Sequence, residues 1–300
     1  MVATAPELLP PELRPWLRTL RILARRARAG SGFGLHRSHS RGAGLEFAQY
    51  RAYQPGDEPR QVDWKLYARS DRFFVREAER DSALTLWLLL DTSASMGDAD
   101  AARPDWTRLR AACAMAAASV EVALRQGDRV GLIGLSSTGV DLVPAAPGAR
   151  QRDRCSLFLQ GLKAQGERPP TAALRTVWER IGTDALSVLF TDGLQPDLLM
   201  LAEQLSAAGR ELRCVRLLTA GEAEFRFPGG TRFVDPESGD VLLTDAPAVR
   251  EGFLRRFGAE RRAFAARLAA ARIALHEQRI DQPLGPGLAA LYGAGRGALA

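Results

Sequence analysis

From residue 83 onward, short apolar runs alternate with longer stretches of helical periodicity, and that alternation leaves few folds open. Leu84–Leu90 (LTLWLLL), Arg129–Leu135 (RVGLIGL), Ala185–Phe190 (ALSVLF) and Glu211–Leu218 (ELRCVRLL) read as strands, with Ala274–Ile280 as the last one. Runs this apolar belong to strands covered on both faces, as in a parallel sheet whose crossovers are helices. Val140–Val143 follows the turn Ser136–Gly139 too closely for a crossover, so it is expected antiparallel to its predecessor. Between the strands, Leu109, Ala112, Ala116, Val120 and Ala123 recur at helical steps, with Pro104 near the start and Gly127 at the stop. Further helices are predicted at Cys155–Leu162, Ala172–Ile181, Leu198–Ala208 and Val249–Arg272. The fold class is therefore α/β, a doubly wound, mostly parallel sheet, with a hairpin excursion near 222–245 whose turns are Gly229-Gly230 and Glu237–Asp240.

The first 82 residues have another texture and read as an N-terminal arm, giving expected units of 1–82 and 83–300. Leu13–Ala29 is an arginine-rich amphipathic stretch, expected as a solvated helix; Gln49–Tyr53 and Phe73–Glu77 are short strands separated by the Pro55-Gly56-Asp57 turn. Residues 1–81 carry 15 Lys plus Arg against 10 Asp plus Glu, which is most of the formal charge of +6. The basic residues are arginine except Lys65 and Lys163, in an alanine-heavy chain. That bias, without interleaved aromatics, leaves binding of nucleic acid through the arginine-rich N-terminus as an alternative and not as the expectation. The longest apolar runs, Ala83–Leu90 and Ala111–Val120, fall short of the roughly 20 residues that a membrane-spanning helix needs. The N-terminus also lacks the basic-then-apolar order of a secretory signal, so a cytoplasmic location is expected. Cys113, Cys155 and Cys214 fit no zinc spacing and read as packed, reduced thiols.

The chemistry concentrates at strand ends. Asp91, Ser93 and Ser95 form a D-x-S-x-S string directly after the first buried strand; Asp192 follows the Ala185–Phe190 strand in TDG; Thr171 opens a predicted helix after RPP. Singly, each is an ordinary helix cap. Together they place two carboxylates and several hydroxyls at the carboxyl ends of strands in an open parallel sheet, where such folds bind ligands. A hard cation such as magnesium takes oxygen donors from several loops.

These residues resemble a family site. DTSAS, Thr171 and TDG look like the metal-ion-dependent adhesion site of von Willebrand factor A domains, and GDRVGLIGL resembles their second strand. The resemblance implies a Rossmann-like sheet of order 3-2-1-4-5-6. It implies a Mg2+ or Mn2+ ion held by Ser93, Ser95 and Thr171 through hydroxyls, and by Asp91 and Asp192 largely through water. One position would be kept for a carboxylate of a partner protein. A second resemblance covers the arm. GLHRSHSRGAGLEF and YRAYQPGDEPRQVDWKLYARSDRFFVREAERD look like the signature of the bacterial domain-of-unknown-function 58 family. It implies association with a MoxR-type AAA+ ATPase in chaperone-like assembly or remodelling. Within the signature, Asp57, Arg60, Asp63 and Arg69 are expected to pair, with Trp64 and Tyr67 packing, and His36 and His39 are expected at the surface.

The expectation is thus a non-catalytic, metal-dependent binding adaptor. No Walker A string, G-x-S-x-G elbow or H-E-x-x-H occurs. The alternative is a metal-dependent phosphoesterase, whose general base the sequence does not supply.

Overall fold

The computed structural model describes residues 8–24, 47–54, 62–78, 83–166 and 171–293. The chain forms two compact units, one made of Met1–Ala29 with Leu84–Ala300 and the other of Gly30–Ala83. The main unit is built on a six-stranded sheet: β1 (Thr85–Asp91), β2 (Arg129–Ser136), β3 (Gly139–Ala146), β4 (Ala185–Thr191), β5 (Glu211–Leu218) and β6 (Ala274–Arg279). Their order is 3-2-1-4-5-6, parallel except for β3, which pairs antiparallel with β2. The expected von Willebrand factor A-like, doubly wound class is thereby met, with β1 at the centre between β2 and β4.

Strand alternation explains the two cores. Leu86, Leu88 and Leu90 point to one face and Trp87 and Leu89 to the other, all 5% exposed or less. Helices α1 (Arg108–Arg125), α2 (Ala149–Gly161) and α6 (Leu284–Tyr292) supply buried residues to the first face. Helices α3 (Thr171–Arg180), α4 (Pro196–Ala207) and α5 (Ala246–Ala270) supply the second. Each leucine so enclosed contributes about 1.5–3 kcal/mol. Helix α1 is buried nearly all round because alanines at 111, 112, 114, 116, 117 and 118 let neighbours approach closely. Gly131 is required for a similar reason: a Cβ there would lie 2.4 Å from the Trp87 ring. The three cysteines are buried as free thiols, and burial pushes each up to about 12.

Two local expectations are corrected. Pro104 does not start a helix. It lies in Arg103–Thr107, which folds back on Ala99–Asp100, and α1 starts after Thr107, whose hydroxyl accepts the Arg110 N–H at 3.1 Å. In its described part, residues 13–24, the N-terminal stretch is not one solvated helix. There only Arg14–Thr19 is α-helical, and Leu20–Ala24 runs without regular secondary structure; residues 25–29 lie outside the described residues. Its backbone is held by side chains of the main unit: Gln126 grips both backbone polar groups of Ile22, and Arg125 and Arg213 donate to Leu20 and Leu23 carbonyls. Leu13, Leu20 and Ile22 are buried in the first core. Residues 8–24 therefore belong to the main unit, and the smaller unit, Gly30–Ala83, ends next to the expected boundary at residue 82. Helix α6 and the short helix Trp64–Ser70 were not anticipated.

The smaller unit pairs Phe47–Ala52 antiparallel with Phe74–Ala78. Asp63 caps Trp64–Ser70 by accepting the Lys65 and Leu66 N–H groups at 3.0 Å, and Tyr67 stacks on Phe73 with centroids 4.4 Å apart. His36, His39, Asp57 and Arg60 lie outside the described residues.

Candidate metal centre

The parallel pairing of β1 with β4 brings Asp91 and Asp192 together, because each sits at or just past the end of its strand at the centre of the sheet. The chain leaves β1 toward α1 on one face and β4 toward α4 on the other, so the two loops part and leave a crevice. Asp91, Ser93, Ser95 and Asp192 are each 3% exposed or less. The Asp91 carboxylate accepts the Ser93 N–H at 3.0 Å through Oδ1 and the Thr191 hydroxyl at 2.7 Å through Oδ2. Ser93 and Ser95 hydroxyls lie 3.1 Å apart. Asp192 Oδ1 accepts the Leu194 N–H at 2.9 Å.

Four of the five sequence-predicted residues, Asp91, Ser93, Ser95 and Asp192, therefore gather at one place. Thr171 opens α3, and its side chain lies outside the described residues. The segment leading toward it is pinned to the same loop: Gln165 N–H donates to Thr92 O at 2.9 Å and Ala94 N–H to Gly166 O at 2.8 Å.

The electrostatics suit a cation at Asp91, while Asp192 is already paired with Arg108. Burial, and then the nearby Asp192 charge, push the Asp91 carboxyl up from 3.8 to about 6, against the opposing hydrogen bonds from Ser93 and Thr191. Among the described residues no basic side chain pairs with Asp91. Two buried carboxylates flanked by two hydroxyls form an oxygen-only donor set, which fits a hard divalent ion. No cluster of three or more His, Cys, Asp or Glu side chains arranged for a metal occurs among the described residues.

Arg108, which the sequence reading missed, is 2% exposed and reaches the same crevice. Its Nη1 lies 3.2 Å from Asp192 Oδ2 and donates to Ser95 O at 2.9 Å, while Nη2 lies 2.6 Å from Glu222 Oε1. A signal existed. An arginine in the first turn of a helix opposes the helix dipole, and its phase matches the buried residues Ala111, Ala112 and Met115. Glu237, on the hairpin excursion, was also missed as a site residue: its Oε1 accepts the Ser95 hydroxyl at 3.1 Å and the Gln195 amide at 2.6 Å. A cleft of about 610 Å³ lies between the crevice and this hairpin, lined by Ser95, Arg108, Leu194, Glu222 and Glu237 among others.

Comparison with known proteins agrees with the second resemblance. The family model described as protein of unknown function DUF58 matches residues 49–263. An uncharacterised protein of Mycobacterium tuberculosis H37Rv, Rv1480, is 32% identical over 261 residues, covering 84% of this chain and 80% of the relative. Among solved structures, BatB from Bacteroides thetaiotaomicron is 15% identical and covers 69% of this chain and 95% of its own, with a TM-score of 0.44. The SpRpn10 VWA domain is 13% identical and covers 73% and 100%, with a TM-score of 0.41.

Proposed function

Since the chain belongs to the DUF58 family of proteins of unknown function, we propose that its main unit is a protein-interaction module whose binding depends on a divalent cation. The observation that carries this reading is the buried Asp91 carboxylate, crowded by Asp192 and without a basic partner among the described residues. A Mg2+ or Mn2+ ion would relieve that crowding. Asp91, Asp192, Ser93 and Ser95 would hold it, with Thr171 as the family resemblance implies. Held there, such an ion would supply a Lewis-acidic position able to accept a carboxylate from a partner protein.

The chain's own residues do the rest. Ser93 N–H and Thr191 Oγ1–H fix the Asp91 carboxylate in one orientation. Arg108 holds the Ser95 carbonyl and one Asp192 oxygen, which sets the two loops relative to each other. The role is read as binding and not as catalysis. Asp91 and Asp192 are engaged as positioned acceptors. As partner we propose a MoxR-type AAA+ ATPase, for which the adaptor would present clients for remodelling.

Thermal melts with and without Mg2+ or Mn2+, paired with capture of the ATPase on immobilised protein, test this reading. The wild type is expected to gain stability and to retain the ATPase with the metal and lose both in EDTA. Asp91→Ala is expected to do neither. An equal metal response in that variant overturns the site, and metal-dependent phosphate release lost in Asp192→Ala would favour the phosphoesterase.

A further inference from the structure

The hairpin Thr231–Val234/Val241–Thr244 brings a third carboxylate to the crevice from a distant part of the chain. Its tip is shaped for the purpose. Asp235 accepts the Glu237 and Ser238 N–H groups at 2.8 and 3.3 Å, and Gly239, at φ 77°, closes the turn with its N–H on Asp235 O. Between Asp235 and Asp240 only Glu237 is half-buried, while its neighbours are exposed. It points inward, where Gln195 and Ser95 each donate to Oε1. The hairpin's inner side is anchored: Phe233 stacks on Phe225, which stacks on Phe253 of α5, with centroids 5.6 and 4.1 Å apart. On the opposite face Leu243 is 72% exposed, while Leu242 shares the face of its cross-strand partner Phe233.

We propose that Glu237 is a carboxylate ligand that the chain supplies to its own cation site, so that the hairpin closes the position left to a partner. The proposal rests on the cation-site reading above. A carboxylate already hydrogen-bonded to Ser95, one of the residues expected to hold the ion, is the chemical equivalent of the incoming partner group. Gln195 is its positioning residue: it holds Glu237 without belonging to the donor set. An outside carboxylate must then displace Glu237, and displacement frees the tip of the hairpin.

The test uses the full chain, Mn2+ as the sole probe, and four proteins: wild type, Glu237→Gln, Gln195→Ala and Asp91→Ala. Mn2+ affinity is read by electron spin resonance of the free ion, and hydrogen exchange is read at residues 235–240 with and without Mn2+. Expected are an affinity in Gln195→Ala about 10–100-fold below wild type, the loss typical of removing the partner that orients a metal ligand, and a loss at least as large in Glu237→Gln. Mn2+ is expected to slow exchange at 235–240 in the wild type and not in Glu237→Gln. Wild-type affinity together with wild-type exchange in Glu237→Gln overturns the proposal while leaving the cation site standing, provided Asp91→Ala has lost Mn2+. Unchanged Mn2+ binding in Asp91→Ala overturns the site and the proposal together. Matching far-ultraviolet circular dichroism confirms that each variant is folded, and Gln195→Ala, which keeps the carboxylate, gives a second reading if Glu237→Gln is not.

Discussion

In EDTA, Asp91→Asn is expected to stabilise the protein, although the reading assigns Asp91 to the metal. Its carboxyl is pushed up from 3.8 to about 6 by burial and by Asp192, so the folded state holds a proton there that the unfolded chain has already lost. Stability from this group is fully present below pH 3.8 and is lost as pH rises through 6. Over that interval, at about 1.4 kcal/mol per pH unit, the loss is about 3 kcal/mol. Asparagine carries no charge and keeps an acceptor for Ser93 N–H. It leaves the Thr191 hydroxyl without its acceptor, a cost of about 1 kcal/mol. At pH 7 the net gain is about 2 kcal/mol, a rise in melting temperature of roughly 3 °C for a chain of this size. Below pH 4 the gain disappears. Adding Mg2+ at a hundredfold excess over its dissociation constant stabilises the wild type by about 2.7 kcal/mol and the variant by almost nothing, so the order of stability reverses. Urea unfolding of both proteins, in EDTA and in Mg2+, from pH 4 to 8, is the assay. A variant less stable than wild type in EDTA at pH 7, or equal metal gains in both proteins, would refute the argument.

Arg108→Met should destabilise the metal-free protein by about 3–5 kcal/mol, because it leaves Asp192 and Glu222 facing each other without their shared cation. The deficit should narrow in Mg2+, and urea midpoints in the two conditions measure it. Gly193→Ala should cost about 2 kcal/mol or more, since φ is +82° and the new Cβ would lie 2.9 Å from the Phe264 ring. A thermal midpoint within a degree of wild type would contradict this. Thiol labelling at pH 8 should be silent for Cys113, Cys155 and Cys214 until the chain unfolds, since burial holds all three near 12. Rapid modification of any one under native conditions would show local opening.

The sheet and the strand-end residues were legible because both depend on local pattern. Apolar runs such as LTLWLLL announce strands covered on both faces, and Asp91 and Asp192 stand at fixed offsets from two of them. Order 3-2-1-4-5-6 came with the family resemblance and not from the runs themselves. What escaped were features settled by distant partners. Leu13–Ala29 has the charge pattern of a solvated helix, yet Gln126 and Arg213 take up backbone groups of Ile22 and Leu23 that a helix would use itself. Pro104 is a plausible helix start, but Thr107 caps better once residues 99–107 fold back. Glu237 sits in a turn like any other, and its approach to Ser95, 142 positions away, has no local sign.

The strap of residues 8–24 bears on how this protein can be dissected. The family match begins at residue 49, and a fragment cut there, or at the first strand, would look like a complete domain on paper. Such a truncation strips Leu13, Leu20 and Ile22, each 2% exposed or less, from the interior they help to fill. Losing those three costs about 6 kcal/mol, comparable to the entire margin that keeps many proteins folded. An insoluble fragment would then report on a missing lining and say nothing about the binding chemistry it was made to probe.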